Sequence, residues 1–167
     1  MSAQRINPDD PDWELTASSR YYSYKYGYGA IDAWTLVELA KTWKLVKPQA
    51  WLEPPEIDME GAQVLPTGKM RGGKLIPHDG LESSIQVTSE MMEQGNFERL
   101  EHVTVKAWIS HSKRGDVEVW IVSPNRIKSV LAAPRRLDAA DTGFVGWQFM
   151  SVKHWWVVIF GDRICIF

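Results

Sequence analysis

The sequence predicts a mostly β protein with antiparallel strands, preceded by one α-helix. Three stretches of its 167 residues carry this prediction. Residues 103–110 and residues 117–122 alternate apolar and polar side chains, which is the pattern of a strand with one buried face. Residues 33–40 instead place apolar side chains three and four positions apart, on one face of a helix. A hydrophobic content of 44% is enough for the core of one ordinary domain.

The helix has a start signal as well as an apolar face. Asp32 precedes it, and an aspartate at that position can accept a hydrogen bond from an unpaired amide of the first turn. The apolar face consists of Ala33, Leu36, Val37 and Ala40. Lys41 and Lys44 come at the end, where positive charge complements the helix dipole. We therefore expect the helix to begin directly after Asp32.

The segments on either side of this helix are rich in turn-forming residues. Residues 1–20 are polar and contain Pro8 and Pro11, which predicts a mobile lead-in. Residues 45–80 contain five prolines and predict a connector, in which 49–52 would begin the first strand of the sandwich. After it, Ile85–Val87 predicts a strand and Ser89 the start of a short helix that ends in the turn Gln94–Asn96.

Turn residues separate the two alternating stretches. Lys113–Asp116 lies between them, and its glycine permits a positive φ that other residues avoid. We therefore predict that residues 103–110 and 117–122 pair as a β-hairpin. Ser123–Asn125 predicts the next turn.

Composition excludes several classes of protein. A formal charge of −2 provides no basic surface for nucleic acid or an anionic membrane. No stretch approaches the roughly 18 apolar residues of a membrane span, and the first residues lack the apolar region of a signal peptide. Cys165 is the only cysteine, so no internal disulfide is expected.

The chain shows no pattern of catalytic or metal-binding residues. None of its histidines (His78, His102, His111 and His154) stands in a context typical of a serine or cysteine nucleophile. No zinc or calcium spacing occurs, and the acidic run Glu53, Glu56, Asp58 and Glu60 is interrupted by two prolines. We predict no catalytic, cofactor-binding or metal-binding residue.

Two short motifs have a structural and a functional interpretation. Arg114-Gly115-Asp116 matches an integrin-binding tripeptide, and Arg135-Arg136 matches a dibasic cleavage site. Both lie between predicted strands, so we interpret the first as a turn and the second as a folded loop.

The order of the motifs resembles a known family. The strings EHVTV, RGDVEVWIVSP, PRRLD and GF--W-FMSV-HW resemble the P domain (homo B domain) of kexin- and furin-like proprotein convertases. YGYG-IDAW-LVELAKTW resembles the last helix of the subtilisin-like catalytic domain that precedes it. The resemblance runs from about Asn7 to Trp155 and implies a jelly-roll-like, galactose-binding-like β-sandwich.

This resemblance implies a division of the chain and a supporting function. Residues 1–44 would be the end of the catalytic domain, 45–155 an incomplete P domain, and 156–167 an atypical hydrophobic tail. The parent would be a calcium-dependent serine endopeptidase of the secretory pathway or Golgi that cleaves after dibasic sites. Truncated at both ends and without the triad, this chain alone is predicted to be inactive, with no cofactor of its own.

Its expected partner is the subtilisin-like catalytic domain, joined in cis. Interface or core positions would be Tyr26, Tyr28, Trp34, Trp51, Trp147 and Phe149. The tail has two apolar arms around Gly161-Asp162, which predicts a hairpin against the open sheet and a tendency to self-associate. An alternative hypothesis is a stand-alone ligand- or carbohydrate-binding module that stacks its ligand on Trp108 and Trp120.

Overall fold

The computed structural model describes residues 2–16, 18–57, 61–154 and the backbone of 163–166. Its elements follow one another along the chain in this order: β1 (Ala3–Gln4), β2 (Glu14–Leu15), β3 (Tyr21–Tyr22), β4 (Ala30–Ile31), α1 (Ala33–Lys41), β5 (Gln63–Val64), β6 (Met70–Arg71), β7 (Ser83–Gln86), α2 (Ser89–Gln94), β8 (Val103–Ile109), β9 (Val119–Val122), β10 (Lys128–Ala132), β11 (Phe144–Ser151) and β12 (Arg163–Ile166).

Two antiparallel sheets form a β-sandwich. One sheet has four strands in the order β10-β9-β12-β7, and the other pairs β11 with β8. Side chains from both sheets meet in one apolar core made of Val117, Val119, Ala132, Phe144 and Phe149, with Ala107, Ile109 and Leu131 packed against it. A smaller cluster of Val87, Met92 and Leu100 lies under α2. The predicted sandwich is confirmed.

The predicted hairpin between residues 103–110 and 117–122 is wrong. The strands themselves exist as β8 and β9, but β8 pairs with β11 over its whole length, whereas β9 pairs with β10 and β12. The residues between them form a short 3-10 turn, Arg114–Asp116, where the chain passes from one sheet to the other. Alternation predicts a half-buried strand but does not specify its partner.

The N-terminal segment is more regular than the predicted lead-in. Residues 3–4 pair with 30–31, and residues 14–15 pair with 21–22. Asp32 caps α1, because its side chain accepts a hydrogen bond from the Thr35 amide at 3.0 Å. The predicted helix and its cap are confirmed.

Two other boundaries differ from the prediction, whereas α2 begins at Ser89 and ends at Gln94, as predicted. Residues 49–52 form no strand, although Leu52 packs on the smaller core cluster. Strand β7 begins at Ser83 and ends before Val87. The cap of α2 is Thr88, whose hydroxyl accepts a hydrogen bond from the Met91 amide at 3.2 Å.

The C-terminal strand belongs to the larger sheet. The first arm and the loop of the hairpin predicted around Gly161-Asp162 lie outside the described residues. The second arm is β12, whose backbone pairs with both β7 and β9. Cys165 is opposite Ser84 on one side and Val122 on the other, so β12 lies in the interior of the sheet.

A proline in β12 is therefore expected to destabilise the whole sandwich. Proline has no amide hydrogen and is excluded from interior strands. We expect Cys165→Pro to reduce the free energy of unfolding by about 2 kcal/mol or more, measured by urea denaturation. Cys165→Val, which keeps the amide, is the control and is expected to remain near wild type. Equal stability of the proline variant would show that β12 does not pair in the interior.

Candidate interdomain surface and arginine junction

The two connections that cross between the sheets are tied together by an ion pair. Arg114, between β8 and β9, donates from Nε to Asp138 Oδ2 at 2.8 Å and from Nη2 to Oδ1 at 3.0 Å. Asp138 lies between β10 and β11 and also accepts a hydrogen bond from Arg135 Nη2 at 3.1 Å. These hydrogen bonds, from Arg114 foremost, lower the pKa of Asp138 to about 2. We call this group, Arg114, Gly115, Arg135 and Asp138, the arginine junction.

Gly115 is required here for a close backbone approach. Its φ is not positive, contrary to the conformational role expected for it. It is buried, its amide donates to the Asp138 carbonyl at 3.0 Å, and its carbonyl accepts from the Arg135 amide at 2.7 Å. A Cβ at this position would fall on the carbonyl oxygen of Arg135. Only glycine fits between the two connections.

The arginine junction also accounts for both short motifs. Arg114 is ion-paired and its guanidinium stacks on Trp147, 5.3 Å from the ring centroid. Arg135 donates to Asp138 and to the Ala133 carbonyl, and its backbone is bonded to Gly115. A protease needs an extended, accessible segment, so cleavage after Arg136 would first require this loop to open. The junction therefore supports the structural interpretation of both motifs.

A cavity of about 250 Å³ opens beside the arginine junction. It is lined by Arg114, Leu131, Ala132, Arg135, Asp138, Phe144, Trp147 and Phe149. Asp138 engages both guanidinium groups, so the charged lining is largely paired within the protein.

Substituting Gly115 tests the close approach. We expect Gly115→Ala to destabilise the protein by about 3 kcal/mol, because the methyl group must displace backbone atoms of the partner connection. Gly68→Ala is the matched control: Gly68 also lies in a turn, but a Cβ there meets open space. Its positive φ alone is expected to cost about 1 kcal/mol. Thermal unfolding followed by circular dichroism measures both, and equal losses would contradict the close approach.

The N-terminal segment contacts the sandwich through polar groups at one end. The Tyr28 hydroxyl donates to the Val152 carbonyl at 3.1 Å. The Val130 amide on β10 donates to the Tyr24 hydroxyl at 2.8 Å. Lys153, which is 2% exposed, donates from Nζ to Glu14 Oε2 at 2.5 Å. Residues far apart in sequence thus meet in one contact, which we call the tyrosine–lysine contact.

Helix α1 and the residues that flank it expose large apolar side chains. Helix α1 has no buried residue. The large apolar side chains exposed on and around it are Ile31, Trp34, Leu36, Val37, Leu39, Trp43, Leu45 and Val46, with Trp34 74% exposed. Large exposed apolar side chains in this number are typical of a segment that makes a protein–protein contact. We call it the α1 face.

The six residues predicted to lie at an interface or in the core are found in different parts of the structure. Phe149 is in the sandwich core, and Tyr28 belongs to the tyrosine–lysine contact. Tyr26 stacks on Trp13 with ring centroids 5.6 Å apart. Trp51 is exposed and meets His102 edge-on at 5.1 Å, while Trp147 covers the arginine junction. Trp34 belongs to the α1 face.

Trp108 and Trp120 do not share a surface. Val119 and Ile121 on β9 point into the sandwich, so Trp120 between them points outward from the larger sheet. Ala107 and Ile109 on β8 point inward from the opposite sheet, which turns Trp108 outward on the other side. The pair therefore cannot stack on one ligand.

The four histidines have different surroundings. His78 is in an exposed loop, His102 contacts Trp51, and His111 Nδ1 lies 2.7 Å from the Lys113 carbonyl. His154 is buried, and neither ring nitrogen has a hydrogen-bond partner among the described residues. Burial, followed by the neighbouring Lys153 charge, lowers its pKa to about 4.

The buried His154 makes stability depend on pH. Its folded pKa of about 4 is below the unfolded value of 6.5, so the unfolded chain binds the extra proton first. The contribution of His154 to the free energy of unfolding is fully present above pH 6.5 and declines as the pH falls toward 4. Because of His154, lowering the pH from 7.5 to 5 is expected to reduce the free energy of unfolding by about 2 kcal/mol.

His154→Leu removes the titrating group. We therefore expect the urea concentration at the unfolding midpoint to change less between pH 7.5 and pH 5 in this variant than in the wild type. His78→Leu, in an exposed loop, is the control and keeps the wild-type slope. An unchanged slope in His154→Leu would contradict a buried neutral imidazole.

Comparisons with known proteins agree with the geometry of the sandwich. The family described as "Proprotein convertase P-domain" matches residues 100–162, past Trp155, where the motif resemblance was expected to end. The chain is 42% identical to "Kexin" of Candida albicans over 156 residues, which are 93% of this chain and 17% of that protein. It is 36% identical to the "Dibasic-processing endoprotease" of Schizosaccharomyces pombe over 159 residues, 91% of this chain and 21% of that protein.

A solved structure shows the same fold. The crystal structure of a serine protease of Aeromonas sobria superimposes with a TM-score of 0.67 at 20% identity and covers 92% of this chain and 26% of that one. The chain spans about a fifth of the length of the curated relatives that it matches. Among the described residues, no helix is both long and apolar enough to cross a membrane.

Proposed function

This chain belongs to the kexin-like proprotein convertases, and from that premise we propose that its sandwich works as the P domain that holds a subtilisin-like catalytic domain in its folded state. The whole protein would be a serine endopeptidase that cleaves after paired basic residues in the secretory pathway. The residues of this chain would supply packing and orientation, and the bond cleavage would take place on the catalytic domain.

The α1 face is the observation that carries this proposal. Tyrosine and lysine side chains hold the N-terminal segment on the sandwich, yet the helix and the residues that flank it expose eight large apolar side chains to solvent, four of them on the helix itself. Burying them would contribute roughly 25 cal/mol for each Å² of apolar surface removed from water. The segment thus combines polar groups that contact the sandwich with exposed apolar side chains that fit the apolar interior of a catalytic domain.

Calcium enters the proposal only through the family. Among the residues that the structure describes, no group of three or more His, Cys, Asp or Glu side chains is arranged to hold a metal ion. Calcium ligation requires six to eight oxygen atoms around one point, which backbone carbonyls can supply as well as carboxylates. Calcium therefore belongs to the proposal for the whole protein, and we place no calcium-dependent step on residues of this chain.

A chimera tests the proposed function. In Candida albicans kexin, the 156-residue region that aligns with this chain is replaced by the sequence of this chain, and the purified protein is assayed with a fluorogenic dibasic peptide. We expect cleavage activity within about tenfold of the parent. The same chimera with Gly115→Ala is expected to lose most of its active-enzyme yield. A chimera that is secreted and folded but inactive would contradict a supporting role for this sandwich.

A further inference from the structure

We propose that the end of the sandwich around Val130 and Lys153 is a binding site that selects an acidic N-terminal segment. The Lys153–Glu14 pair would determine which C-terminal segment of a catalytic domain this P domain binds. This inference deepens the proposed function and rests on it for the identity of the segment. The pairing itself is a property of this chain.

The first argument is the burial of the Lys153 ammonium. Lys153 is 2% exposed, whereas Glu14 is 58% exposed at its side chain. A buried ammonium is costly unless a carboxylate and further hydrogen-bond partners replace its water. Glu14 is the carboxylate with which it is paired, at 2.5 Å, and Tyr24 adds its hydroxyl at 3.4 Å and its ring face at 4.9 Å. The sandwich therefore supplies a cation whose counter-charge comes from the N-terminal segment.

The second argument is the position of Tyr24 on a sheet edge. Among the described residues, β10 is one of the two edge strands of the four-stranded sheet, and its Val130 amide donates to the Tyr24 hydroxyl. An unpaired amide at a sheet edge is normally left to water or to another strand. Tyr24 satisfies it and at the same time covers Lys153. The two contacts place the N-terminal segment in one orientation.

The third argument is the polar character of the contacts. The described contacts between the segment and this end of the sandwich are hydrogen bonds, an ion pair and a cation–π contact. Helix α1 contributes no buried side chain. Polar pairing discriminates between partners more sharply than apolar packing does, because a wrong partner leaves a buried charge unpaired. A segment with a neutral or basic residue in place of Glu14 would be rejected in this way.

The Val130 amide provides a direct measurement. We expect its hydrogen exchange, measured by NMR on the full chain, to be at least about tenfold faster in Glu14→Gln than in the wild type. Amides of β8 and β11, which lie in the other sheet, are expected to keep their wild-type rates. They report whether the sandwich remains folded.

Lys25→Met is the matched control. It breaks the Lys25–Asp10 ion pair, whose Nζ–Oδ1 distance is 2.9 Å and which lies wholly within the N-terminal segment. We expect it to leave the Val130 amide within about twofold of wild type. An equal acceleration in both variants would mean that any loss of charge loosens the segment, which would overturn the proposal.

Charge reversal tests the selectivity. Glu14→Lys is expected to accelerate Val130 exchange more than Glu14→Gln, and adding Lys153→Glu is expected to restore at least part of the protection. Wild-type exchange in Glu14→Lys would overturn the inference. An inactive chimera with these exchange rates as expected would count against the proposed function alone, whereas an active chimera with no effect at Val130 would count against this inference alone.

Discussion

The sandwich depends on the close contact between its two crossing connections at Gly115. One connection leads from β8 to β9 and the other from β10 to β11, and each passes from one sheet to the other. Gly115 donates to one carbonyl of the opposite connection and accepts from one of its amides. The Arg114–Asp138 pair adds charge-assisted hydrogen bonds to these backbone contacts. Strands from both sheets are thereby held at the spacing that their shared core requires.

A β-sandwich built in this way remains stable even where its contact with the N-terminal segment is polar. The core around Phe144 and Phe149 supplies apolar burial, so the contact with the N-terminal segment need not add much stability. It consists instead of directional groups: two tyrosine hydroxyls, one lysine and one glutamate. Directional contacts set orientation, and the apolar α1 face remains available for a larger contact. Stability and orientation thus come from different parts of the chain.

Local features of the structure were predictable from the sequence, and long-range ones were not. The cap at Asp32 and the strands at 103–109 and 119–122 depend on neighbouring residues, which a sequence shows directly. The partner of β8 depends on which connection crosses between sheets, and alternation carries no information about that. Family resemblance supplied the sandwich, but the hairpin drawn between β8 and β9 was wrong for this reason.

Single residues of the candidate surface were also not predictable from the sequence when their role depends on distant residues. Lys153 follows an ordinary strand and has no local signal, because its burial arises from Glu14 and Tyr24 more than a hundred positions earlier. Residues 49–52 failed as a strand because prolines at 48 and 54 enclose a short segment without a sheet partner. Gly115 was recognised as a turn residue, although its role comes from the opposite connection. Each of these features depends on residues that meet only after folding.

The position of β12 also bears on how the protein is made. β7 pairs with β12 and not with β9, so this strand pair joins residues about 80 positions apart. A ribosome that adds roughly 5–20 residues per second takes about 4–16 s to synthesise the intervening chain. During that interval β7 has left the exit tunnel without its partner, and one side of β9 is unpaired as well. The two edges therefore stay unpaired until residue 166 has emerged, and unpaired strand edges are where nascent chains are prone to associate wrongly.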